Sequence, residues 1–527
     1  MKLKKLKKEK GIHMSHGRFK IVIVGGGSAG WMSAATLAKA CPDKDITLIE
    51  SPNCPTVGVG ESTLGHINNW LGFIGIEDKD FMKACDATYK LSIRFQDFYR
   101  KGGGHFHYPF GKADLRGANT RANDWVFNRM LEGDTESSHT YAEWYYTNML
   151  LINGDKFCDN PQDKLPMFNF KQDVAYHFDA TKFGQYLKAN HALNKGVKYI
   201  VGDVTDTVVT KDGIKEIIIN NTQPISADLF IDCTGFKSLL MNALKEPFES
   251  YEDILPNNSA VATRVPYRTH RKQMVPYTNC VAYDNGWIWE IPLWSRIGTG
   301  YVYSDKYISD EQAIVDFKEY LKKNNHPIDK CEFKTIKMKI GLHQRVYVKN
   351  VCAIGLAAGF IEPLESNGLF TVHEFLARLI RILQRVSPST FDKDAFNYKV
   401  KQQFRSFAEF VGAHYALTQR DDTQYWRDIK NREFCSGLYT AKPIVNHGFM
   451  TYADDRFNQF YYPPGDGGFD CIAHGMYWFP TDWMSLKYAY CTEDNTFLNA
   501  GFKRGKEQTM KIIERKKEII KNWPKYY

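Results

Sequence analysis

Long apolar runs are missing from this 527-residue sequence, in which no stretch of 18 consecutive apolar residues occurs. A membrane-spanning helix needs about 20 such residues, so the hydropathy pattern predicts none. The first ten residues are mostly lysine and lack the apolar segment of a secretory signal. We therefore expect a cytoplasmic protein without a membrane partner.

Paired cysteines and clustered histidines are also missing. The 11 cysteines are an odd number, no two of them form a Cys-x-x-Cys pair, and the histidines are not spaced as metal ligands. This pattern favours neither a disulfide framework nor a metal site. We predict reduced cysteines that pack in the interior, and no bound metal.

The body of the chain lacks a net positive charge, although the formal net charge of the whole sequence is +9. Residues 1–20 carry +7 and residues 501–527 carry +6, which leaves about −4 for everything between them. Nucleic-acid-binding proteins carry a basic patch on the folded surface, so this distribution argues against a nucleic-acid partner. We interpret residues 1–17 as a basic disordered tail.

Core-forming residues are plentiful, and near the N-terminus they predict a βαβ unit. Ile21–Val24 is a short apolar run that ends at glycines, residues 31–40 are rich in alanine, and Ile46–Glu50 is a second apolar run. This order and spacing favour two parallel strands joined by a helix, and hence an α/β (α+β) fold. Further strands are predicted at residues 217–219, 228–232 and 351–354, and helices at 369–386 and near 505–522.

A glycine pattern follows the first predicted strand. Gly25 permits a tight turn, Gly27 lets the backbone approach a pyrophosphate, and Gly30 lets the helix pack against the strand. The N-terminus of the helix, at Ser28 and Ala29, is then placed to hold phosphates. Glu50, at the end of the second strand, is expected to accept hydrogen bonds from the ribose. We predict a Rossmann-like dinucleotide site.

A second element indicates which dinucleotide binds. The segment from Asp232 to Gly235 resembles the second glycine element of FAD-dependent monooxygenases, which favours FAD over NAD. The chain has one complete Rossmann fingerprint and no evident second site for a nicotinamide cofactor. Reduced flavin is therefore expected to come from a separate NAD(P)H-dependent flavin reductase.

Several ordered segments between about Lys20 and Trp426 resemble the flavin-dependent halogenases of the tryptophan halogenase type. They are residues 25–32, 57–63, 85–95, 175–180, 287–292, 298–304 and 414–423. The resemblance implies an FAD-binding domain of the flavin monooxygenase type at 18–400, with a substrate loop at 100–115. It also implies a mainly helical, substrate-covering region at 401–527.

The resemblance implies an activity. FADH2, O2 and halide would form hypohalous acid at the flavin, and this oxidant would reach Lys90 and Glu365 for electrophilic halogenation of a small aromatic, indole- or phenol-like substrate. Two alternatives stay open: an FAD-dependent aromatic hydroxylase, and a flavin-binding protein without turnover. The resemblance also carries the expectation of a homo-oligomer.

The catalytic residues implied by the resemblance are Lys90, Glu365 and Ser366. The ammonium of Lys90 would hydrogen-bond hypohalous acid, or its neutral amine would form a haloamine, which requires a pKa lowered by burial. Glu365 would accept the proton that the arenium intermediate loses, or orient the oxidant near Lys90. Trp287 and Trp289 alternate in a predicted strand and would form a wall that keeps the substrate away from the flavin.

The remaining implied positions concern halide, substrate and flavin. Halide would bind the backbone N–H groups of Asn367 and Gly368, and because the family commonly has Thr at the first of these, chloride, bromide and iodide all stay possible. Phe110 would stack on the substrate, and Tyr108 stands where a substrate-side His is expected. The predicted cofactor residues are Gly25, Gly27, Ser28, Ala29, Gly30, Glu50, Val57, Gly58, Asp232, Gly235 and Gly355.

Overall fold

The computed structural model describes most of the chain in eight stretches. These are residues 18–54, 58–113, 125, 141–158, 165–385, 388–430, 468–477 and 496–526. The tail predicted at 1–17 and the predicted cofactor residue Val57 lie outside the described residues.

The described strands form five sheets. The strands are β1 (Lys20–Val24), β2 (Asp45–Glu50), β3 (Glu61–Ser62), β4 (Thr88–Lys90), β5 (Ser92–Gln96), β6 (His105–Pro109), β7 (Ala175–Phe178), β8 (Lys198–Val201), β9 (Val204–Thr210), β10 (Gly213–Ile219), β11 (Gln223–Ile225), β12 (Leu229–Asp232), β13 (Phe248–Ser250), β14 (Ser259–Val265), β15 (Tyr277–Tyr283), β16 (Gly286–Pro292), β17 (Ile297–Tyr303), β18 (Lys334–Lys337), β19 (Gly341–His343), β20 (Tyr347–Val348), β21 (Val351–Ala353) and β22 (Gly359–Phe360).

The helices complete the set of elements. They are α1 (Ser28–Ala40), α2 (Ile67–Ile74), α3 (Asp78–Ala84), α4 (Tyr141–Tyr145), α5 (Thr147–Gly154), α6 (Phe170–Asp173), α7 (Ala180–Leu187), α8 (Leu239–Ala243), α9 (His270–Gln273), α10 (Asp310–Lys323), α11 (Gly368–Leu383), α12 (Thr390–Ala416), α13 (Gln424–Ile429), α14 (Gly468–Gly475) and α15 (Thr496–Ile520).

A six-stranded sheet carries the predicted βαβ unit. Its order is β20-β21-β12-β1-β2-β8, and all neighbours pair in parallel except the edge strand β20. The side chains of Ile21, Ile23 and Leu48 have no exposed surface, as expected for strands covered on both faces. The predicted strands and the helix between the first two are confirmed, with boundaries shifted by one to four residues.

A seven-stranded sheet packs beside the six-stranded sheet. Its order is β18-β14-β17-β16-β15-β5-β6, antiparallel apart from the parallel pair β15 and β5. Successive side chains of a strand point to opposite faces, so Trp287 and Trp289 on β16 share one face and Glu290 lies on the other. The segment predicted as a substrate loop contains a regular strand, β6, at the edge of this sheet.

Long helices follow the sheets. The predicted helix at 369–386 is α11, and α12 then runs for 27 residues from a capping box at Ser389. This helix passes without interruption through residue 400, so the backbone shows no break at the predicted domain boundary. Beyond it, the described elements α13, α14 and α15 are helical. The division into domains stays a prediction.

One large hydrophobic core joins these layers. It includes residues of β1, β12, α1, α11 and α12, and a smaller cluster lies between the seven-stranded sheet and α10. None of the helices in the described part of the chain combines the length and the hydropathy needed to span a bilayer.

Candidate active site

A cavity of about 560 Å³ lies between the two large sheets. It is lined from one side by the turn after β1, the end of β2 and the loop after β12. From the other side it is lined by β15, β16 and the start of α11. Among the predicted site residues, those that line it are Gly25, Gly27, Ser28, Ala29, Glu50, Gly235, Trp287, Trp289, Gly355, Ser366, Asn367 and Gly368.

The turn after β1 can be built only with glycine at two positions. Gly25 has a φ of +117°, and a Cβ there would lie 2.2 Å from the carbonyl oxygen of Cys233. A Cβ on Gly30 would lie 1.9 Å from the carbonyl oxygen of Gly25. Gly27 is different, because a Cβ there would meet no atom within 4 Å. It leaves open space directly before the N-terminus of α1.

Glu50 lies at the edge of this open space. Its Oε2 accepts a hydrogen bond from the hydroxyl of Tyr199 at 2.6 Å and lies 3.4 Å from Nζ of Lys188. The other oxygen, Oε1, lies against Gly26, where a Cβ would come within 2.2 Å of it. The carboxylate is therefore held in place at the end of β2, with one oxygen directed to the glycine turn.

Two indole rings form one side of the cavity, and we name Trp287 and Trp289 the tryptophan wall. Their ring centroids are 6.2 Å apart. Trp287 is 1% exposed, and its Nε1–H donates to Oε2 of Glu362 at 3.1 Å. The same oxygen accepts from Tyr415 at 2.6 Å and from Asn257 at 2.8 Å. A buried carboxylate with three donors thus fixes the orientation of the inner tryptophan.

Lys90 lies beyond the cavity and has no exposed surface. Its Nζ donates to the carbonyl oxygen of Thr63 at 2.9 Å and to Oγ of Ser366 at 2.8 Å, and it lies 5.0 Å from the ring centroid of Phe110. Burial lowers the pKa of Lys90 to about 7, against the raising effects of Cys280 and Glu365. The amine is therefore available in both protonation states near neutral pH.

Glu365 is also fully buried. It interacts electrostatically with Lys90, and each of the two residues shifts the pKa of the other. Its Oε1 is 2.9 Å from Nε2 of His414, close enough for an ion pair, although the angle is not that of a hydrogen bond. Burial raises the pKa of Glu365, while His414 and Lys90 oppose the rise. The Nδ1 of His414 faces the carbonyl oxygen of Val411 at 3.1 Å.

The segment from Glu365 to Gly368 connects this buried pair to the cavity. Ser366 has a φ of +58°, a left-handed conformation that turns the chain sharply into α11. Asn367 caps α11 with its backbone and not its side chain, and its buried Oδ1 has no hydrogen-bond partner among the described residues. The first N–H groups of α11 have no acceptor within the helix, and the residues that carry them, Gly368 and Leu369, line the cavity.

A family profile described as tryptophan halogenase matches residues 20–486. The chain belongs to the tryptophan halogenase family. The chain is 37% identical over 438 residues to the 7-chloro-L-tryptophan 6-halogenase KtzR of Kutzneria sp. (strain 744), covering 79% of this chain and 83% of that one. The fold agrees with that of solved relatives. VirX1 superposes with a TM-score of 0.84 at 36% identity, covering 97% of this chain and 98% of its own. Tryptophan 6-halogenase SttH of Streptomyces toxytricini gives 0.81 at 31%, covering 97% and 99%.

The protein is therefore a flavin-dependent halogenase that uses FADH2 and halide, and the cavity of this halogenase fits FAD. The glycine turn leaves room for a pyrophosphate at Gly27. Glu50 follows the last glycine of the fingerprint at the sequence spacing that is typical of the acidic residue that binds the ribose, and its carboxylate lies at the edge of the cavity. Three predicted cofactor residues do not line the cavity. Gly30 packs the helix beneath the turn, Gly58 accepts a hydrogen bond from Arg264, and Asp232 faces the protein interior.

The buried carboxylate of Asp232 holds the loop after β12. It accepts hydrogen bonds from the backbone N–H groups of Thr234, Leu240 and Met241 at 2.8 to 3.1 Å, and from the hydroxyl of Thr234 at 2.6 Å. Gly235, which does line the cavity, is placed by this arrangement. The carboxylate of Asp232 is thus engaged by the loop that it supports, and its predicted contact with the cofactor stays a prediction.

Phe110 and Tyr108, the predicted substrate-side residues of the halogenase, are both buried near Lys90 and α14. Phe110 lies under the Lys90 ammonium, and Tyr108 is 6.3 Å from Phe110 in an edge-to-face arrangement. The hydroxyl of Tyr108 lies at Gly468 of α14, where a Cβ would come within 2.7 Å of it. The segment after β6 thus joins Lys90 to the C-terminal helices.

Sequence reasoning missed several residues of the halogenase site. His414 stands inside a segment that carried the resemblance, and Glu362 stands three residues before Glu365, but pattern alone gave no reason to connect them to Glu365 and Trp287. Ser62 and Thr278 line the cavity as small polar residues in buried strands. A buried Ser, Thr or Glu in an otherwise apolar strand was the available signal, because such groups need a partner.

Proposed function

We propose that this halogenase transfers halogen to a small planar aromatic of the indole type, with Lys90 and Glu365 facing the reacting atoms. One observation carries the proposal. The two residues are 275 positions apart in the sequence, yet both are fully buried, and Lys90 donates to Ser366, the residue after Glu365. Ser366 lines the same cavity as the tryptophan wall. A buried amine beside a buried carboxylate is costly for folding, and such pairs concentrate at functional sites.

The flavin side of the proposal assigns binding roles to the chain's own residues. Reduced FAD with O2 would supply the oxidising power that converts halide to hypohalous acid. The glycine turn and the N-terminus of α1 would hold the pyrophosphate, and Glu50 would accept from the ribose. The tryptophan wall would exclude the aromatic substrate from this compartment, which disfavours direct hydroxylation.

The halide would lie at the N-terminus of α11. Asn367 and Gly368 line the cavity at the start of α11, so their backbone N–H groups would bind the halide, and the helix dipole adds a partial positive charge there. The carboxamide of Asn367 gives this corner a shape and polarity different from those of the Thr that the family commonly has, and its buried Oδ1 has no hydrogen-bond partner among the described residues. This composition supports use of bromide or iodide as well as chloride.

Lys90 would receive the oxidant, and Glu365 would accept the proton of the arenium intermediate. A pKa of about 7 for Lys90 supports both proposed modes, in which the ammonium hydrogen-bonds hypohalous acid or the amine binds the halogen. The raised pKa of Glu365 makes its carboxylate a stronger base than an exposed one. His414, 2.9 Å away, would share the accepted proton.

The relatives indicate the substrate class. KtzR and SttH are named for tryptophan or chlorotryptophan as substrate, and Phe110 beside Lys90 offers a ring for stacking on an indole. We also propose a separate NAD(P)H-dependent flavin reductase as partner and a homo-oligomeric assembly. A cytoplasmic location is proposed as well, and it is supported by the nine described cysteines, which are all free thiols.

A product panel tests the proposal. The halogenase is supplied with a flavin reductase, NADH, FAD, one of three halides and a set of indoles, phenols and anilines, and products are identified by mass. Halogenated indole is expected. An oxygenated product without halogen would establish the hydroxylase alternative. If no compound of the panel is converted to a product, the alternative of a flavin-binding protein without turnover would be favoured.

The Lys90→Met variant isolates the residue assignment. We expect halogenation to fall by about 100-fold or more, because no amine receives the oxidant, while FAD affinity and NADH-dependent peroxide formation stay unchanged. Lys182→Met, at a half-exposed lysine outside the cavity, is the matched control and should halogenate normally. Retained halogenation in Lys90→Met would refute the role of Lys90.

A further inference from the structure

A continuous series of side-chain hydrogen bonds leads from Lys90 to a buried histidine. Nζ of Lys90 donates to Oγ of Ser366 at 2.8 Å, and this oxygen lies 3.0 Å from Oγ of Ser62. Ser62 is 2.6 Å from Oγ1 of Thr278, which is 2.9 Å from Nε2 of His177. Three hydroxyls therefore connect an amine to an imidazole. We name this series the hydroxyl chain.

The small sheet β3-β7-β4 explains why these groups meet. His177 on β7 is the cross-strand neighbour of Ser62 on β3 and of Thr88 on β4, and Lys90 stands two residues after Thr88 on the same face. Cross-strand neighbours have Cβ atoms about 5 Å apart, which is hydrogen-bonding range for short polar side chains. The histidine has no exposed surface, so water does not compete for its nitrogens.

The far end of the hydroxyl chain fixes the direction of every hydrogen bond in it. The hydroxyl of Thr88 donates to the carbonyl oxygen of Pro292 at 2.6 Å, and a carbonyl can only accept. Because Thr88 has one proton, its oxygen must accept from Nδ1–H of His177, 3.1 Å away. A neutral His177 then accepts at Nε2, so Thr278 donates to it, Ser62 donates to Thr278, and Ser366 donates to Ser62.

We propose that His177 is the proton acceptor for Lys90, reached through Ser366, Ser62 and Thr278. The inference rests on the proposed role of Lys90 and adds where its proton goes. Each hydroxyl passes its own proton forward and receives one from behind. The ammonium of Lys90 becomes an amine, and neutral His177 becomes an imidazolium, with no change in total charge. Burial, followed by the charge of Lys90, holds the pKa of His177 well below its usual range, so the imidazole is neutral at rest. The part of this shift that comes from the Lys90 charge disappears as the proton leaves the ammonium, which makes the ring a better acceptor during the transfer.

The same hydrogen bonds prepare the amine for the oxidant. After the transfer, one N–H bond of Lys90 still donates to Thr63, and the lone pair of Nζ accepts from the hydroxyl of Ser366. Rotation about the Cε–Nζ bond then turns the lone pair toward the oxidant. The lone pair attacks the halogen of HOX; the N–X bond forms, the O–X bond breaks, and the departing hydroxide takes one N–H proton and leaves as water. When the halogen passes to the arene, the imidazolium returns its proton through the hydroxyl chain to the lysine nitrogen.

Other titratable groups surround the hydroxyl chain. Glu365 and Cys280 act on Lys90, and Glu61 precedes Ser62 on β3, where burial raises its pKa to about 7. All three groups contribute to the pH dependence of the halogenation rate, but they are present both in the unmodified protein and in variants of Thr278. A comparison between such variants therefore reports on the hydroxyl chain itself.

The first test is the tautomer of His177 in the unmodified full-length protein. With ¹⁵N-labelled histidine and assignment by a His177→Gln variant, NMR at about pH 8 should show a neutral ring that carries its proton on Nδ1 and accepts at Nε2. A ring protonated at Nε2, or a charged ring, would reverse the direction of the hydrogen bonds and overturn the proposal. This measurement involves neither flavin nor turnover, so its result is independent of the halogenase assay.

The second test removes one hydroxyl. In Thr278→Val, single-turnover halogenation at about pH 6 should fall by about 100-fold, because proton transfer to a positioned group is lost. At about pH 9 the amine is already neutral, so the rate should come within about twofold of the unmodified enzyme. Thr278→Ser, which restores the hydroxyl, should recover the rate at low pH.

The control is Thr263→Val, on β14 of the same seven-stranded sheet, where the hydroxyl donates to the carbonyl oxygen of Glu332 at 2.7 Å. It should halogenate normally at both pH values. An equal loss in Thr278→Val at low and high pH would indicate a merely structural hydroxyl and overturn the proposal. Failure of the proposed function itself would appear differently, as full halogenation by Lys90→Met.

Discussion

At the scale of single residues, burial gives ordinary side chains of this halogenase unusual chemistry. Lys90 and Glu365 have no exposed surface. Burial lowers the pKa of Lys90 and raises the pKa of Glu365, which in both cases favours the neutral form. Cys280 lines the cavity and interacts electrostatically with both residues. Burial raises the pKa of its thiol, which keeps the sulfur protonated and weakly nucleophilic. The residue types are common, and their reactivity comes from desolvation.

Glu365→Gln tests the carboxylate at constant size. We expect halogenation to fall by about 100-fold, because an amide cannot accept the arenium proton, with little change in FAD affinity. Glu246→Gln is the control, at a buried glutamate paired with Arg345 at 2.6 Å and placed outside the cavity. Product formation is measured at saturating substrate; a loss of similar size in both variants would point to a folding defect.

At the scale of secondary-structure elements, two short segments line the cavity. One is the turn from β1 into α1, on the side proposed for the cofactor, and the other is β16, which carries the tryptophan wall. The turn from β1 into α1 is determined by hard contacts at Gly25 and Gly30, and the inner side of β16 is fixed by the bond from Trp287 to Glu362. The first feature is readable from a sequence because only glycine satisfies it. The second is not, because it depends on a carboxylate 75 positions away.

Gly27→Ala tests where the pyrophosphate lies. The backbone of Gly27 has φ −76° and ψ −174°, which any residue adopts, and the added methyl meets no protein atom within 4 Å. We expect unchanged stability but FAD binding weakened about tenfold or more, equivalent to about 1.4 kcal/mol, because the methyl occupies the phosphate approach. Gly72→Ala, equally unhindered but in α2, is the control. Flavin fluorescence titration gives both constants, and normal affinity in Gly27→Ala would move the phosphates elsewhere.

Trp287→Phe tests the anchor of the tryptophan wall. It removes the N–H donor from a buried carboxylate, and we expect a loss of about 1–3 kcal/mol in addition to the cost of the smaller ring. Trp289→Phe makes the same ring change without removing a donor from Glu362, so the difference between the two urea midpoints isolates the hydrogen bond. Equal midpoints would show that the Glu362 contact contributes nothing to stability.

At the scale of the whole molecule, the site exists because two sheets and a helix N-terminus meet. The sequence predicted each sheet strand of the βαβ unit, α11 and the alternation in β16, since these depend on local periodicity and glycine positions. It did not predict the continuous helix through residue 400, the strand β6, or the Asp232 hydrogen bonds. It also left Glu362, His414 and the hydroxyl chain unconnected. Those depend on contacts between distant segments, which no spacing within one segment encodes.

The buried ammonium of Lys90 should make the stability of the whole protein depend on pH. The pKa of Lys90 is about 7 when folded against an ordinary value of 10.5, so between these values the unfolded chain binds the extra proton and stability rises with pH. Lys90→Met removes this cost. Its stability relative to the unmodified protein should be greatest below pH 7 and should shrink above it, by at most about 1.4 kcal/mol per pH unit. Urea unfolding from about pH 6 to 9 measures the difference. In Lys182→Met, water solvates the original ammonium in both states, so its curve should run parallel to that of the unmodified protein; a parallel curve for Lys90→Met would mean that Lys90 keeps its charge throughout this range.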